Sequence, residues 1–105
     1  MKQTGKEIPT EFALQQNYPN PFNPTTTIKY SLPSTTHVIL KIYDVLGREV
    51  STIVDQSEER GSHRVVFDAT NLASGVYFYS LAVDHGNNST QSNFFVARKK
   101  LIVLK

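Results

Sequence analysis

The stretch 17-NYPNPFNPTTTIKYSLP-33 changes character halfway along. Its first half packs Pro19, Pro21 and Pro24 into six residues, and the whole stretch holds four of the five prolines in the chain. Proline fixes φ, lacks an N–H and pushes the preceding residue into extended geometry. Tyr18, Asn20 and Asn23 are all pre-proline, so this half reads as a stiff, extended strap excluded from the interior of a sheet. Tyr18 and Phe22 are its expected anchors to a core. The second half alternates: Ile28, Tyr30 and Leu32 share one face, and Thr27, Lys29 and Ser31 the other, the period of a half-buried strand.

The same period recurs downstream. After a turn at Pro33-Ser34, residues 37–45 place Val38, Leu40 and Ile42 on one face and Ile39, Lys41 and Tyr43 on the other. Residues 44–47 (DVLG) close that strand, with Gly47 expected at positive φ. Residues 49–54 form a short strand and 55–61 (DQSEERG) a charged loop. His63, Val65 and Phe67 alternate again. Residues 71–75 (NLASG) make a corner into 76-VYFYSLAV-83, whose aromatic and branched side chains on both faces predict a central strand. Residues 85–89 (HGNNS) are a hairpin signal, and residues 94–96 and 101–104 form the last strands. No segment longer than a turn has helical periodicity. Six to eight short strands at regular spacing predict an all-β antiparallel sandwich.

With 105 residues, the chain fits one domain. Residues 1–11 are polar and read as linker or tail, leaving 12–105 as the folded unit. Their lack of an apolar segment means that no secretory signal peptide is visible there. Any export address is expected from another part of the protein or a preceding partner. Hydrophobic content of 39% suits a folded domain. Net charge is only +2, and the basic residues are scattered except at 98–100, which argues against nucleic-acid binding. No apolar run approaches membrane-span length, so no stable membrane insertion is expected. The absence of cysteine excludes disulfides and thiolate chemistry.

Little in the chain suggests an active site. His37, His63 and His85 have no metal-type spacing. Asp44 and Asp68 precede turns, where Asp ordinarily binds its own backbone. Ser74-Gly75 lacks the nucleophile-elbow pattern. Asn87 to Thr90 holds two overlapping glycosylation sequons, but these are also turn formers. Tyr77 and Tyr79 alternate onto one face with Leu81, which makes core packing their default, and a tyrosine hydroxyl here would suit a sandwich corner. No cofactor, metal or catalytic group is expected. The end is different: 98-RKKLIVLK-105 sets four aliphatics between cations, either tied into a sheet or exposed as a template for strand pairing.

Four stretches in order, "FALQQNYPNPFNPTTTIKYSLP", "VILKIYDVLGREV", "GSHRVVFDATNLASGVYFYSL" and "KKLIVLK", resemble the type A C-terminal sorting domain of proteins exported by the type IX secretion system of Bacteroidetes. The resemblance covers residues 12–105. It implies an immunoglobulin-like antiparallel β-sandwich of about seven strands with no catalytic role. It also implies fusion behind an N-terminal passenger, export through the periplasm to the cell surface or medium, and removal by a sortase-like peptidase cutting within 1–11. Carried over by position, Pro19, Asn20, Pro21 and Phe22 match the strap motif. Gly75, Val76 and Tyr77 match a G-x-Y motif. Lys100, Leu101, Ile102, Val103, Leu104 and Lys105 match the terminal export signal. One departure is the length of residues 82–97, expected to add strand pairing or an apolar patch at Phe94-Phe95.

The leading reading is therefore a non-catalytic export label. Its terminal strand is expected to offer backbone groups to the type IX machinery by strand addition. A competing reading is a self-assembling or adhesive immunoglobulin-like module of a surface protein, associating through edge strands. A third is a carbohydrate-binding module built on Tyr77, Phe78 and Tyr79.

Overall fold

A computed structural model of the chain describes residues 11–84 and 93–105. Seven strands follow one another: β1 (Ala13–Leu14), β2 (Thr25–Leu32), β3 (Thr36–Tyr43), β4 (Glu49–Glu58), β5 (Gly61–Asp68), β6 (Gly75–Asp84) and β7 (Asn93–Val103). They form two antiparallel sheets, ordered β1-β2-β5 and β4-β3-β6-β7. This is the expected all-β, immunoglobulin-like sandwich, with β6 between β3 and β7 as the aromatic-rich run required.

The alternations explain the layering. Ile28, Leu32, Val38, Leu40 and Ile42 are fully buried, and Tyr30 nearly so, between the sheets. Tyr79, Leu81 and Val83 from β6 meet Ile42, Leu40 and Val38 across the strand pair. Leu101 and Val103 of β7 complete the same layer. Buried aliphatic and aromatic groups of this kind each contribute roughly 1.5–3 kcal/mol of transfer free energy.

Three expectations are corrected. Tyr18 does not anchor the strap: it is 80% exposed, whereas Phe22 is 3% exposed. Residues 55–58 are strand, not loop, because β4 runs on to Glu58, opposite Thr36. As the outer strand of its sheet, β4 keeps polar side chains hydrated on both faces, so its pattern does not alternate. Only Glu59 and Arg60 separate it from β5. The two apolar runs at the end of the chain belong to one strand, β7. A register shift opposite Leu81 and Ala82 absorbs the irregularity.

The long connection after β6 adds pairing, as expected: Ala82 faces Phe95, Val83 faces Phe94 and Asp84 faces Asn93. The hairpin signal at 85–89, His85, the sequons and the linker at 1–10 lie outside the described residues, as do the side chains of Phe94 and Phe95. Asp44 and Asp68 behave as turn residues. Oδ1 of Asp44 accepts from the amides of Leu46 and Arg48, and Oδ1 of Asp68 accepts from the amide and hydroxyl of Thr70. Gly47 takes φ of 83° in the first of these turns.

Candidate functional site

Around β7 the fold assembles all three stretches singled out in the sequence. Strand alternation splits the terminal hexapeptide between two faces. Leu101 and Val103 point inward and are 0% and 1% exposed. Lys100 and Ile102 lie on the outer face of the sheet, and Leu104 is 59% exposed. On its inner edge the segment pairs with β6, Gly75 to Val103, Val76 to Ile102, Tyr77 to Leu101 and Phe78 to Lys100.

Its outer edge is closed by the proline strap. The Gln16 side-chain amide donates to the Lys100 carbonyl at 2.7 Å. The Ile102 amide donates to Oδ1 of Asn20 at 2.9 Å. The Phe22 amide donates to the Ile102 carbonyl at 3.1 Å, and the Leu104 amide donates to the Phe22 carbonyl at 3.0 Å. Phe22 and Val103 thereby form a parallel bridge. The expectation of a strand edge open to addition therefore meets an edge already hydrogen-bonded from residue 100 to residue 104.

On its other side the strap is tied to β2. Tyr18 and Thr27 exchange both backbone hydrogen bonds at 3.0 Å, and the Gln15 amide donates to the Lys29 carbonyl at 2.9 Å. The strap thus passes from the edge of one sheet to the edge of the other. Peptide bonds 18–19, 20–21 and 23–24 are cis. Prolines suit this path because they present no N–H of their own, so the strap closes an edge without offering a full new one.

A buried polar knot fixes the crossing. Asn17 is 2% exposed. Its Nδ2 donates to Thr26 Oγ1 at 3.0 Å and to the Pro19 carbonyl at 3.2 Å. Its Oδ1 accepts from the Gln16 side chain at 2.7 Å, and the Thr26 hydroxyl donates to the same Pro19 carbonyl at 2.8 Å. No buried side-chain polar atom among the described residues lacks a partner. Phe22 meets Phe67 edge to face, with centroids 6.3 Å apart. Gln16, Asn17 and Thr26 were not singled out in the sequence. Thr26 carried a signal, since it falls in phase with Ile28, Tyr30 and Leu32 on the inward face.

The G-x-Y residues build the adjoining corner. Gly75 opens β6 at φ of 151°, where side-chain-bearing residues are strained, although a Cβ would meet no atom within 4 Å. The Tyr77 hydroxyl donates to the Ala73 carbonyl at 2.9 Å, the tyrosine corner of sandwich folds. Lys105 closes on this corner: its amide donates to Ser74 Oγ at 3.0 Å and its Nζ donates to the Thr70 carbonyl at 2.6 Å.

The neighbouring tyrosine, Tyr79, is fully buried, and its hydroxyl donates to the Gln15 carbonyl at 2.6 Å. Burial pushes its pKa up to about 12. Tyr77 packs partly against the core and Phe78 faces the other way, so the three rings form no common sugar platform. Among the described residues no group of three or more metal-ligating side chains converges, and no helix is long and apolar enough to cross a membrane.

No curated protein matches the chain. Among solved structures, dimeric latent PorU from Porphyromonas gingivalis is similar, with a TM-score of 0.70 and 22% identity over 89% of this chain and 9% of that chain. At that identity the likeness bears on the fold, and the chain corresponds to less than a tenth of the length of PorU. The family model described as the secretion system C-terminal sorting domain matches residues 16–102. That span takes in the strap, the Gly75–Tyr77 corner and the terminal strand as far as Ile102, and the chain belongs to this family of type IX secretion sorting domains.

Proposed function

We propose that residues 12–105 form a sorting label that acts on an N-terminally fused passenger and carries out no catalysis of its own. The label directs its passenger through the periplasm and across the outer membrane, to the cell surface or the medium. Residues 1–11 then serve as the linker in which a sortase-like peptidase cuts. The export signal comprises Pro19, Asn20, Pro21 and Phe22, Gly75 and Tyr77, and the segment from Lys100 through Leu101, Ile102, Val103 and Leu104 to Lys105. One observation carries this reading: these three stretches, far apart in sequence, are joined by hydrogen bonds and strand pairing around the end of β7.

Self-assembly through sheet edges draws less support. The terminal part of β7 is already capped, and β4, on the opposite side, carries Glu49, Asp55 and Glu58 and two register shifts against β3. Charges and bulges are the usual protection of an edge strand.

The test is a gain of export. The chain is fused behind a stable reporter that carries a periplasmic signal peptide, and the fusion is expressed in a bacterium that possesses the secretion system. The expected result is reporter in the medium or on the surface, with a new N-terminus mapping within residues 1–11 on the released domain. A folded fusion retained in the periplasm, as unfused reporter is, would overturn the reading.

A further inference from the structure

Three of the four ways to read the hexapeptide are closed in the folded domain. Its inner backbone edge belongs to β6, its outer edge to the strap, and Leu101 and Val103 to the core. The remaining way is the outer face of the β4-β3-β6-β7 sheet. Directly paired residues share a face. Ile102 therefore stands beside Val76, Lys100 beside Phe78, and Phe78 beside Tyr43. Val76 is 37% exposed, Leu104 59%, and Ile102, Phe78 and Tyr43 are partly exposed.

The border of this stripe is cationic. The Arg98 guanidinium lies 5.5 Å from the centroid of the Tyr43 ring. The nearby acids are engaged, Glu49 with Lys41 at 3.1 Å and Asp44 with Arg48 at 3.0 Å. Lys100 is exposed, and no ion pair to its ammonium group forms among the described residues. A side chain of this kind offers a partner one charge-assisted contact without breaking an existing one.

We propose that the sorting signal is read as a folded surface, through Ile102, Val76, Phe78 and Lys100 on the outer face of this sheet. The partner is a protein surface with an apolar groove bordered by carboxylates. The proposal rests on the sorting function above and replaces capture of a free strand edge with docking onto a finished sheet. The strap supports the sheet from its edge, so it acts by positioning rather than by contact with the partner.

The experiment uses the reporter fusion in the same secreting host. Ile102→Glu, Lys100→Glu and Val76→Gln alter the face, Lys29→Glu is a control on the opposite sheet, and Gln16→Ala with Asn20→Ala loosens the edge by removing its two side-chain hydrogen bonds. Each purified domain is checked by thermal unfolding, and only variants that fold enter the comparison. Loss of an interface anchor commonly lowers capture by roughly tenfold or more. A drop of that order is expected for the folded face variants, with Lys29→Glu exported normally. Lys100→Glu and Val76→Gln keep the test available should Ile102→Glu fail to fold.

Wild-type export of the folded face variants would overturn the proposal while leaving the sorting function intact. So would raised export of the double variant with its loosened edge beside silent face variants, since that is the mark of strand capture. Retention of the unmodified fusion would instead strike the sorting reading itself.

Discussion

The backbone amide of Ile102 donates to Oδ1 of Asn20 at 2.9 Å, across 82 residues of chain. This contact joins the strap motif to the export segment, and it sets a first prediction. Asn20→Ala leaves that amide without its partner, which costs roughly 1–3 kcal/mol if water cannot replace it. Asn20→Asp keeps the acceptor and should stay near wild type. Denaturant unfolding and amide exchange at Ile102 measure the two.

The knot around Asn17 makes a second prediction. Thr26→Val removes both the donor to Pro19 and the acceptor for Asn17, leaving a buried amide short of a partner. A loss of about 1–3 kcal/mol is expected. Combined with Asn17→Ala the losses should fall short of their sum, because the residues share one network. A double-mutant cycle in denaturant gives the coupling directly.

Neighbouring residues of β7 should behave oppositely. Leu101→Ala opens a cavity in a fully buried site and should cost about 2–5 kcal/mol. Ile102→Ala, on the outer face, should cost far less. Removing residues 100–105 outright would take Leu101 and Val103 from the core as well as the signal, so such a truncation is expected to melt the domain, and loss of its helix-free circular dichroism signal would show it.

Tyr77→Phe breaks the corner hydrogen bond to Ala73 with almost no change of shape. A loss of about 0.5–1.5 kcal/mol is expected. For a domain of this size, each kcal/mol lowers Tm by roughly 4–8 °C. Scanning calorimetry resolves that difference.

Alkaline pH supplies a further prediction. Burial raises the Tyr79 phenol from the ordinary 10.0 to about 12. Burial likewise raises Tyr30, whose hydroxyl donates to Glu58. The folded state thus holds these protons after the unfolded chain releases them. Their contribution is full below pH 10 and is lost as pH rises toward 12, with a slope of up to about 1.4 kcal/mol per pH unit per group. Denaturant midpoints against pH should fall over that window, and Tyr79→Phe should flatten the fall.

How much of this was legible depended on where each side chain's partner lies. Ile28, Tyr30 and Leu32, or Val38, Leu40 and Ile42, declare their burial by period alone, since one face of each strand lies wholly against the shared core. β4 was half missed because an outer strand wets both faces, and its charged residues 55–58 read as loop. Tyr18 and Phe22 look alike, each an aromatic beside proline, and only the crossing of the strap decides that one is buried and the other exposed. The hexapeptide was found as a stretch, but its closed edge was not, because Gln16, Asn20 and Phe22 reach it from more than 80 residues away.

The strap also makes the two distant segments of the seam interdependent. Residues 16–22 and 100–104 satisfy each other's backbone groups, while Leu101 and Val103 fill the core. Neither segment keeps its partners if the other detaches, so this seam should open together with the sandwich rather than fray ahead of it, and amide exchange at Ile102 and Leu104 should be as slow as in the central strands.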